Sequence, residues 1–196
     1  MGPRSLFLVL SAILLHSIHL HGQGQGAVSF TSVGASGTKL IRDCNGVPLS
    51  GTAYAVALYW GSATETDSRN LTQIGNYTTF LTGTSAGTYF GGGRTITTPG
   101  SAINGPVLTF QIRVWMTAYG SSYEQAASVG GILGQGPMFT LKTKDLTNPL
   151  ETAPNLYQAP GYVGFQQIGV GCPEPSTVVL GVMGLGALLL LRRKLG

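Results

Sequence analysis

The sequence contains few charged residues. Asp, Glu, Lys and Arg make up 9% of its 196 residues, against about a quarter in typical soluble domains. Together with 43% hydrophobic residues and 30 glycines, this composition excludes a coiled coil and a charged disordered tail. Seven basic and six acidic residues lie between Ala27 and Gly171, so this part carries a net charge of +1 and the two ends supply the other +3 of the total of +4. We therefore predict no nucleic-acid partner.

Histidine is scarce, and all three copies lie in one segment near the N-terminus: His16, His19 and His21. That segment begins with a positive charge at Arg4 and continues with an apolar run over residues 6–15 and small residues at 22, 24 and 26. This order is typical of a secretory signal peptide, which we predict over residues 1–24, with the mature chain starting between Gln23 and Ala27. Removal of the signal would exclude Ser-His-Asp catalysis and metal sites made by histidine.

Carboxylates are the remaining candidates for catalytic chemistry. Glu65 or Asp67 could pair with Glu124 as the two carboxylates of a glycoside hydrolase, but the sequence does not give their separation. Glu65 and Asp67 also fit a solvated loop or, as a further alternative, an isolated Ca²⁺ site. We predict the solvated loop, with no catalytic residue, no cofactor and no metal.

Cysteine occurs only at Cys44 and Cys172. Export would place both in an oxidising compartment, where a disulfide would join an early turn to the end of the last predicted strand. Two unpaired thiols are the alternative, and sequence spacing does not decide between them.

The C-terminal end has three ordered features. The tripeptide Pro173, Glu174, Pro175 is followed by an uncharged apolar stretch, and then by Arg192, Arg193 and Lys194. Residues 177–191 are predicted to form a short transmembrane helix, since 14 to 15 apolar residues and the stems of the basic side chains together nearly span a bilayer. The basic cluster places the C-terminus in the cytoplasm, so the part of the chain before it lies outside the inner membrane.

These features over residues 172–196 resemble the PEP-CTERM sorting signal of Gram-negative bacteria. The resemblance implies an exosortase-type processing enzyme as a partner, an inner-membrane precursor, and delivery to the cell surface or to an extracellular matrix. It also implies extracellular polysaccharide as a further partner, because this sorting system often accompanies exopolysaccharide production. Two prolines around Glu174 would keep the tripeptide extended and stop the following helix from propagating into it.

The segment between the ends, residues 27–171, is predicted to be one β-rich domain. Apolar residues alternate with others along residues 54–60 and 108–116, which indicates half-buried antiparallel strands with one solvated face. Further strands are predicted over 28–33, 39–42, 77–81, 94–98, 138–142 and 161–170, and a short helix over 122–128. Turn clusters at 43–46, 91–93 and 98–100 separate them. The fold class is all-β, an antiparallel β-sandwich that is Ig-like or jelly-roll-like, with a small barrel as the alternative.

Five aromatic residues of this domain could form a sugar-binding face if they point outward: Tyr54, Tyr59, Trp60, Trp115 and Tyr119. Aromatic residues on strands more often belong to the core. The sequence thus predicts an exported, non-enzymatic protein of the cell envelope or extracellular matrix. A secreted carbohydrate-binding module and a glycan-active enzyme are the alternatives.

Overall fold

The computed structural model describes residues 24–98 and 104–165. Eight strands and one short α-helix occur in these residues: β1 Gly24–Thr31, β2 Gly51–Gly61, β3 Thr72–Phe80, β4 Phe90–Thr98, β5 Val107–Met116, α1 Tyr123–Ser128, β6 Leu133–Gln135, β7 Phe139–Lys142 and β8 Lys144–Asp145. Single 3₁₀ turns lie at Gly37–Lys39, Ser68–Asn70, Gly83–Ser85, Thr117–Tyr119 and Leu156–Gln158. Residues 1–23 of the predicted signal peptide, the predicted transmembrane helix and the 98–100 turn beyond Thr98 lie outside the described residues.

The strands form two antiparallel sheets, which confirms an all-β fold. One sheet has the order β4-β1-β8, and the other has the order β3-β2-β5-β6, with β7 also pairing with β5. Arg94 of β4 connects the sheets, because its Nη2 donates to the carbonyl oxygen of Asn76 in β3 at 2.9 Å. The Ig-like or jelly-roll-like assignment stays a prediction.

The main hydrophobic core lies between the two sheets and contains Val28 and Phe30 from β1, Val56 and Leu58 from β2, and Phe110 from β5. We call it the inter-sheet core. It arises from the alternation that was visible in the sequence, since residues two apart on a strand face the same side.

A second core lies on the opposite face of the larger sheet, and we call it the helix-side core. Its buried members are Ala55, Ala57, Tyr59, Leu71, Trp115 and Ala126. The N-terminus of α1, which helps to cover this face, is capped by Ser122, whose hydroxyl accepts the backbone N–H of Gln125 at 3.1 Å. The predicted helix over 122–128 is confirmed.

This second core overturns the prediction that β2 and β5 are half-buried with one solvated face. Ala55, Ala57 and Tyr59 of β2 are buried in it. Thr109, Gln111 and Arg113 alternate with the apolar residues of β5, yet they are only 2%, 3% and 6% exposed. Their polar atoms find partners in other segments: Thr109 donates to the carbonyl oxygen of Ala63, Gln111 donates to that of Gly136, and Arg113 donates to Glu124 of α1 and to Ser68.

Three local predictions are also wrong. Residues 39–42 form no strand, because a 3₁₀ turn occupies Gly37–Lys39 and Arg42 makes one isolated bridge to Pro48. Residues 161–165 form no strand, and 166–170 lie outside the described residues. Gly91–Gly93 belong to β4 rather than to a turn: a Cβ on Gly91 would lie 2.2 Å from the Phe30 ring, so glycine lets β4 approach that ring.

Candidate functional site

The predicted sorting residues Pro173, Glu174, Pro175 and 192–194 lie outside the described residues. The structure describes the chain up to Phe165, seven residues before Cys172. Gly164 donates its backbone N–H to Thr38 at 2.8 Å, and Arg42 donates its backbone N–H to the carbonyl oxygen of Phe165 at 3.0 Å. A Cβ on Gly164 would lie 2.1 Å from the carbonyl oxygen of Leu40, so only glycine permits this approach. The end of the described chain is therefore fixed against residues 38–42.

Cys44 lies in an exposed turn two residues after Arg42. Asp43 builds this turn, as its Oδ1 accepts the backbone N–H groups of Asn45 and Val47 at 2.9 and 2.8 Å. Seven residues lead from Phe165 to Cys172, enough to span about 23 Å when extended. That reach allows Cys172 to approach Cys44. Because Cys172 lies outside the described residues, the disulfide stays a prediction.

The carboxylates of Glu65 and Asp67 shape the connection between β2 and β3. Glu65 Oε1 accepts the backbone N–H groups of Thr66 and Asp67 at 3.0 and 2.9 Å, and Asn70 Nδ2 lies 3.3 Å from it. Asp67 forms an ion pair with Arg69, whose Nη2 lies 2.7 Å from Oδ2. Hydrogen bonds from the Arg69 side chain and backbone lower the pKa of Asp67 to about 2. Both carboxylates thus have local structural partners.

Glu124 belongs to a different network, centred on the buried Arg113. The guanidinium of Arg113 lies over the ring of Tyr59 at 4.0 Å and near the ring of Tyr123 at 5.2 Å. Its Nε donates to Gln111 Oε1 at 2.9 Å and its Nη1 donates to Glu124 Oε1 at 3.2 Å.

Two further contacts complete this arrangement. Nη2 of Arg113 donates to the carbonyl oxygen of Ser68, and the Tyr59 hydroxyl donates to Glu124 Oε1 at 2.8 Å. Burial first, and then the hydrogen bond to Glu124, raise the pKa of Tyr59 above its ordinary value. We call Tyr59, Gln111, Arg113, Tyr123 and Glu124 the arginine cluster. It fastens α1 and the 67–71 segment to the outer face of the sheet.

Sequence reasoning missed the arginine cluster because it assigned Arg113 to a solvated strand face. A charged residue in the middle of a predicted strand, followed by a Ser-capped helix with an early Glu, is the signal that could have revealed it. Within the described parts of the chain, Glu124 contacts Tyr59 and Arg113, while Glu65 and Asp67 bond within their own connection.

The aromatic residues are mostly core residues, as expected for strands. Tyr59 and Trp115 are buried, and Tyr54 and Trp60 are half-buried against the inter-sheet core. Trp115 Nε1 donates to the carbonyl oxygen of Gly120 at 3.0 Å, which satisfies the buried indole. Tyr119 is the one of the five that is exposed.

Residues 24–98 and 104–165 are the part of the chain that the structure describes. No group of three or more His, Cys, Asp or Glu side chains in these ranges is placed to hold a metal ion. In the same ranges, no helix is both long enough and apolar enough to cross a bilayer.

Comparison with known proteins identifies the C-terminal segment. Residues 172–194 match the profile of the PEP-CTERM protein-sorting motif, so the chain carries this motif at the predicted place. The match supports an exported protein whose membrane-anchored precursor is processed by exosortase. No curated protein and no solved structure matches the chain.

Proposed function

We propose that this protein is an exported, non-enzymatic component of the cell envelope or extracellular matrix of a Gram-negative bacterium, sorted through its C-terminal segment. The observation that carries the proposal is the match of residues 172–194 to the sorting motif. The apolar stretch and basic cluster anchor the precursor in the inner membrane, and exosortase then acts at the Pro-Glu-Pro end.

The described chain supports this proposal. Phe165 is fixed against Arg42, so only residues 166–171 connect the body to the motif. The body therefore stays near the membrane surface until processing releases it.

The non-enzymatic part of the proposal is supported by the contacts of Glu65, Asp67 and Glu124, the carboxylates that a glycoside hydrolase would have used. All three form hydrogen bonds or ion pairs with other residues of the protein.

The test separates an enzyme-recognised signal from a plain anchor. Replacing Pro173, Glu174 and Pro175 by Ala should leave insertion intact, because insertion depends on the apolar segment and the basic cluster. Processing should fail, so that the precursor accumulates in the inner membrane with a tag placed after Gly196. The wild type should reach the surface without the tag. Fractionation and immunoblotting measure both.

The chain offers a matched control. Pro149, Glu151 and Pro154 carry the same residue types in a loop of the body, and their replacement by Ala should leave processing unchanged. Deletion of 192–194 should disturb orientation as well as sorting. Equal tag removal in the wild type and the Pro173, Glu174, Pro175 triple-alanine variant would contradict the proposal.

A further inference from the structure

An open groove of about 480 Å³ lies at the end of the larger sheet where β5 begins. One wall is the segment Ala63–Thr66, and the other is formed by residues 138–140 of β7 and its approach, together with Pro160 and Gly161. Thr109 of β5 lies between the walls. The volume is within the usual range of about 300–1,000 Å³ for small-ligand sites.

Specific contacts hold both walls in place. Thr109 Oγ1 donates to the carbonyl oxygen of Ala63 at 3.3 Å, which ties the first wall to β5. A Cβ on Gly61 would lie 3.2 Å from the Glu65 side chain, so this glycine lets the stem of Glu65 lie against the end of β2. On the other wall, a Cβ on Gly161 would lie 2.7 Å from Phe139 Cβ, so the 159–162 loop lies directly on β7.

The polar groups of the groove are hydroxyls and one carboxylate. Thr64, Thr66 and Thr140 are exposed. Among the described residues that line the groove, Glu65 is the only ionisable one. Its Oε1 accepts the backbone N–H groups of Thr66 and Asp67 and the side-chain amide of Asn70, which orients the carboxylate.

The apolar part of the lining comes from Met138, Phe139 and Pro160. A sugar ring has the complementary surface: one apolar C–H face, and hydroxyls around its edge that donate to a carboxylate and exchange hydrogen bonds with threonines. The lining formed by residues 24–98 and 104–165 has one carboxylate and no basic side chain, which disfavours anionic ligands. Because the groove is open, a segment from the middle of a longer oligosaccharide can lie in it.

We propose that this groove binds a neutral oligosaccharide: Glu65 accepts hydrogen bonds from sugar hydroxyls, Thr140 exchanges hydrogen bonds with them, and Met138 and Pro160 contact the apolar ring face. This goes beyond the proposed function, because sorting requires no ligand of the body. It also differs from a face built on the aromatic residues of β2 and β5, two of which are buried.

The test is isothermal titration calorimetry on the full-length chain, purified in a mild detergent. The probes are neutral tetrasaccharides of β-1,4-glucose, α-1,4-glucose, β-1,3-glucose, β-1,4-mannose and β-1,4-N-acetylglucosamine. Tetragalacturonate and tetralysine serve as anionic and cationic probes. At least one neutral tetrasaccharide should bind, and tetragalacturonate should not.

Two variants each change one polar side chain of the groove. Glu65→Gln keeps an acceptor for the loop N–H groups but removes the charge, and it should weaken binding about tenfold, because hydrogen bonds to a charged group are the stronger ones. Thr140→Val removes one exposed hydroxyl and should weaken binding about threefold to fivefold.

Matched controls lie outside the groove. Glu151→Gln changes a carboxylate that also accepts a loop N–H, that of Asp145 at 2.9 Å, and Thr97→Val changes an exposed threonine on β4. Both should leave affinity unchanged. Circular dichroism melting establishes that all variants fold.

Three results would overturn the proposal: no neutral tetrasaccharide binds, binding persists unchanged in both groove variants, or only tetralysine binds, which would make the groove a cation or peptide site. Each is distinct from a failure of the proposed function, because binding is measured on purified protein and sorting is measured in cells.

Discussion

The two cores on either side of the larger sheet are built differently. The inter-sheet core consists of aliphatic and aromatic side chains that alternate along the strands and face the smaller sheet. The helix-side core combines small residues, Ala55 and Ala57, with large aromatic residues, and the arginine cluster adjoins it. The inter-sheet core is stabilised by the apolar surface that it removes from water. The helix-side core adds directional contacts to the buried guanidinium of Arg113. The three predictions below test this difference.

The largest effect is expected in the inter-sheet core. Phe110 is fully buried, and its ring centroid lies 6.1 Å from that of Phe139. Phe110→Ala should lower the free energy of unfolding by about 3–5 kcal/mol, because it removes buried area and leaves a cavity. Urea denaturation followed by tryptophan fluorescence measures this. Phe110→Leu, which retains most of the volume, should cost clearly less, and equal losses for the two variants would contradict cavity formation as the cause.

An intermediate effect is expected in the arginine cluster. Arg113→Met keeps much of the apolar stem but leaves the hydrogen-bonding groups of Glu124, Gln111 and Ser68 without their donor, and should cost about 2 kcal/mol. Glu124→Gln should cost less, about 0.5 kcal/mol, because the Glu124 side chain is 59% exposed. The same denaturation experiment applies.

A double-mutant cycle of Arg113→Met and Glu124→Gln measures how much of the stability effect of Arg113 depends on Glu124. If Arg113 acts mainly through the rings of Tyr59 and Tyr123 and through Ser68, its coupling with Glu124 should be small compared with its own effect. A loss in Arg113→Met no larger than that in Glu124→Gln would show that the ion pair alone matters, and would remove the distinction drawn between the two cores.

The smallest effect on stability is expected for substitution of Arg69, an exposed residue of the 67–71 segment. Arg69→Ala should raise the pKa of Asp67 from about 2 toward its usual value of 3.8, since the Arg69 hydrogen bonds lower it. A depressed carboxyl pKa in the folded state gives stability that is present above the unfolded pKa and lost as the pH falls toward about 2. At neutral pH the stability should barely change, because the pair is exposed.

NMR titration of the Asp67 carboxyl carbon measures the change in the Asp67 pKa that Arg69→Ala causes. Lys142→Ala, at an exposed position on β7, is the control and should leave the Asp67 pKa unchanged. An Asp67 pKa that stays near 2 in Arg69→Ala would assign the shift to the turn backbone instead.

Much of the fold follows from patterns that a single strand or turn contains. The strands over 54–60, 108–116 and 138–142, the helix over 122–128 and the 43–46 turn could be predicted because their signals are local: alternation, a serine cap, and an Asp-x-Asn-Gly-type turn. The sorting motif was also visible in the sequence, since it is a contiguous segment whose order and charge carry its meaning.

The predictions that failed depended on distant partners. Gly91–Gly93 look like a turn in sequence, but the Phe30 ring, some 60 residues earlier, makes glycine necessary inside a strand. Similarly, residues 39–42 look like a strand, but the turn at Gly37–Lys39 and contacts with 164–165 give them an irregular path.

The sequence by itself determined the C-terminal sorting motif, the all-β class and the inter-sheet core, because these depend on contiguous order and a period of two. Only the tertiary structure decided that the polar side of β5 is buried, that Arg113 lies between two tyrosines, and that a threonine-lined groove opens beside Glu65. The physical reason is that burial of a polar residue becomes favourable only when partners from other segments satisfy its hydrogen bonds. Here those partners are Ser68 and Glu124, which lie 45 and 11 residues from Arg113.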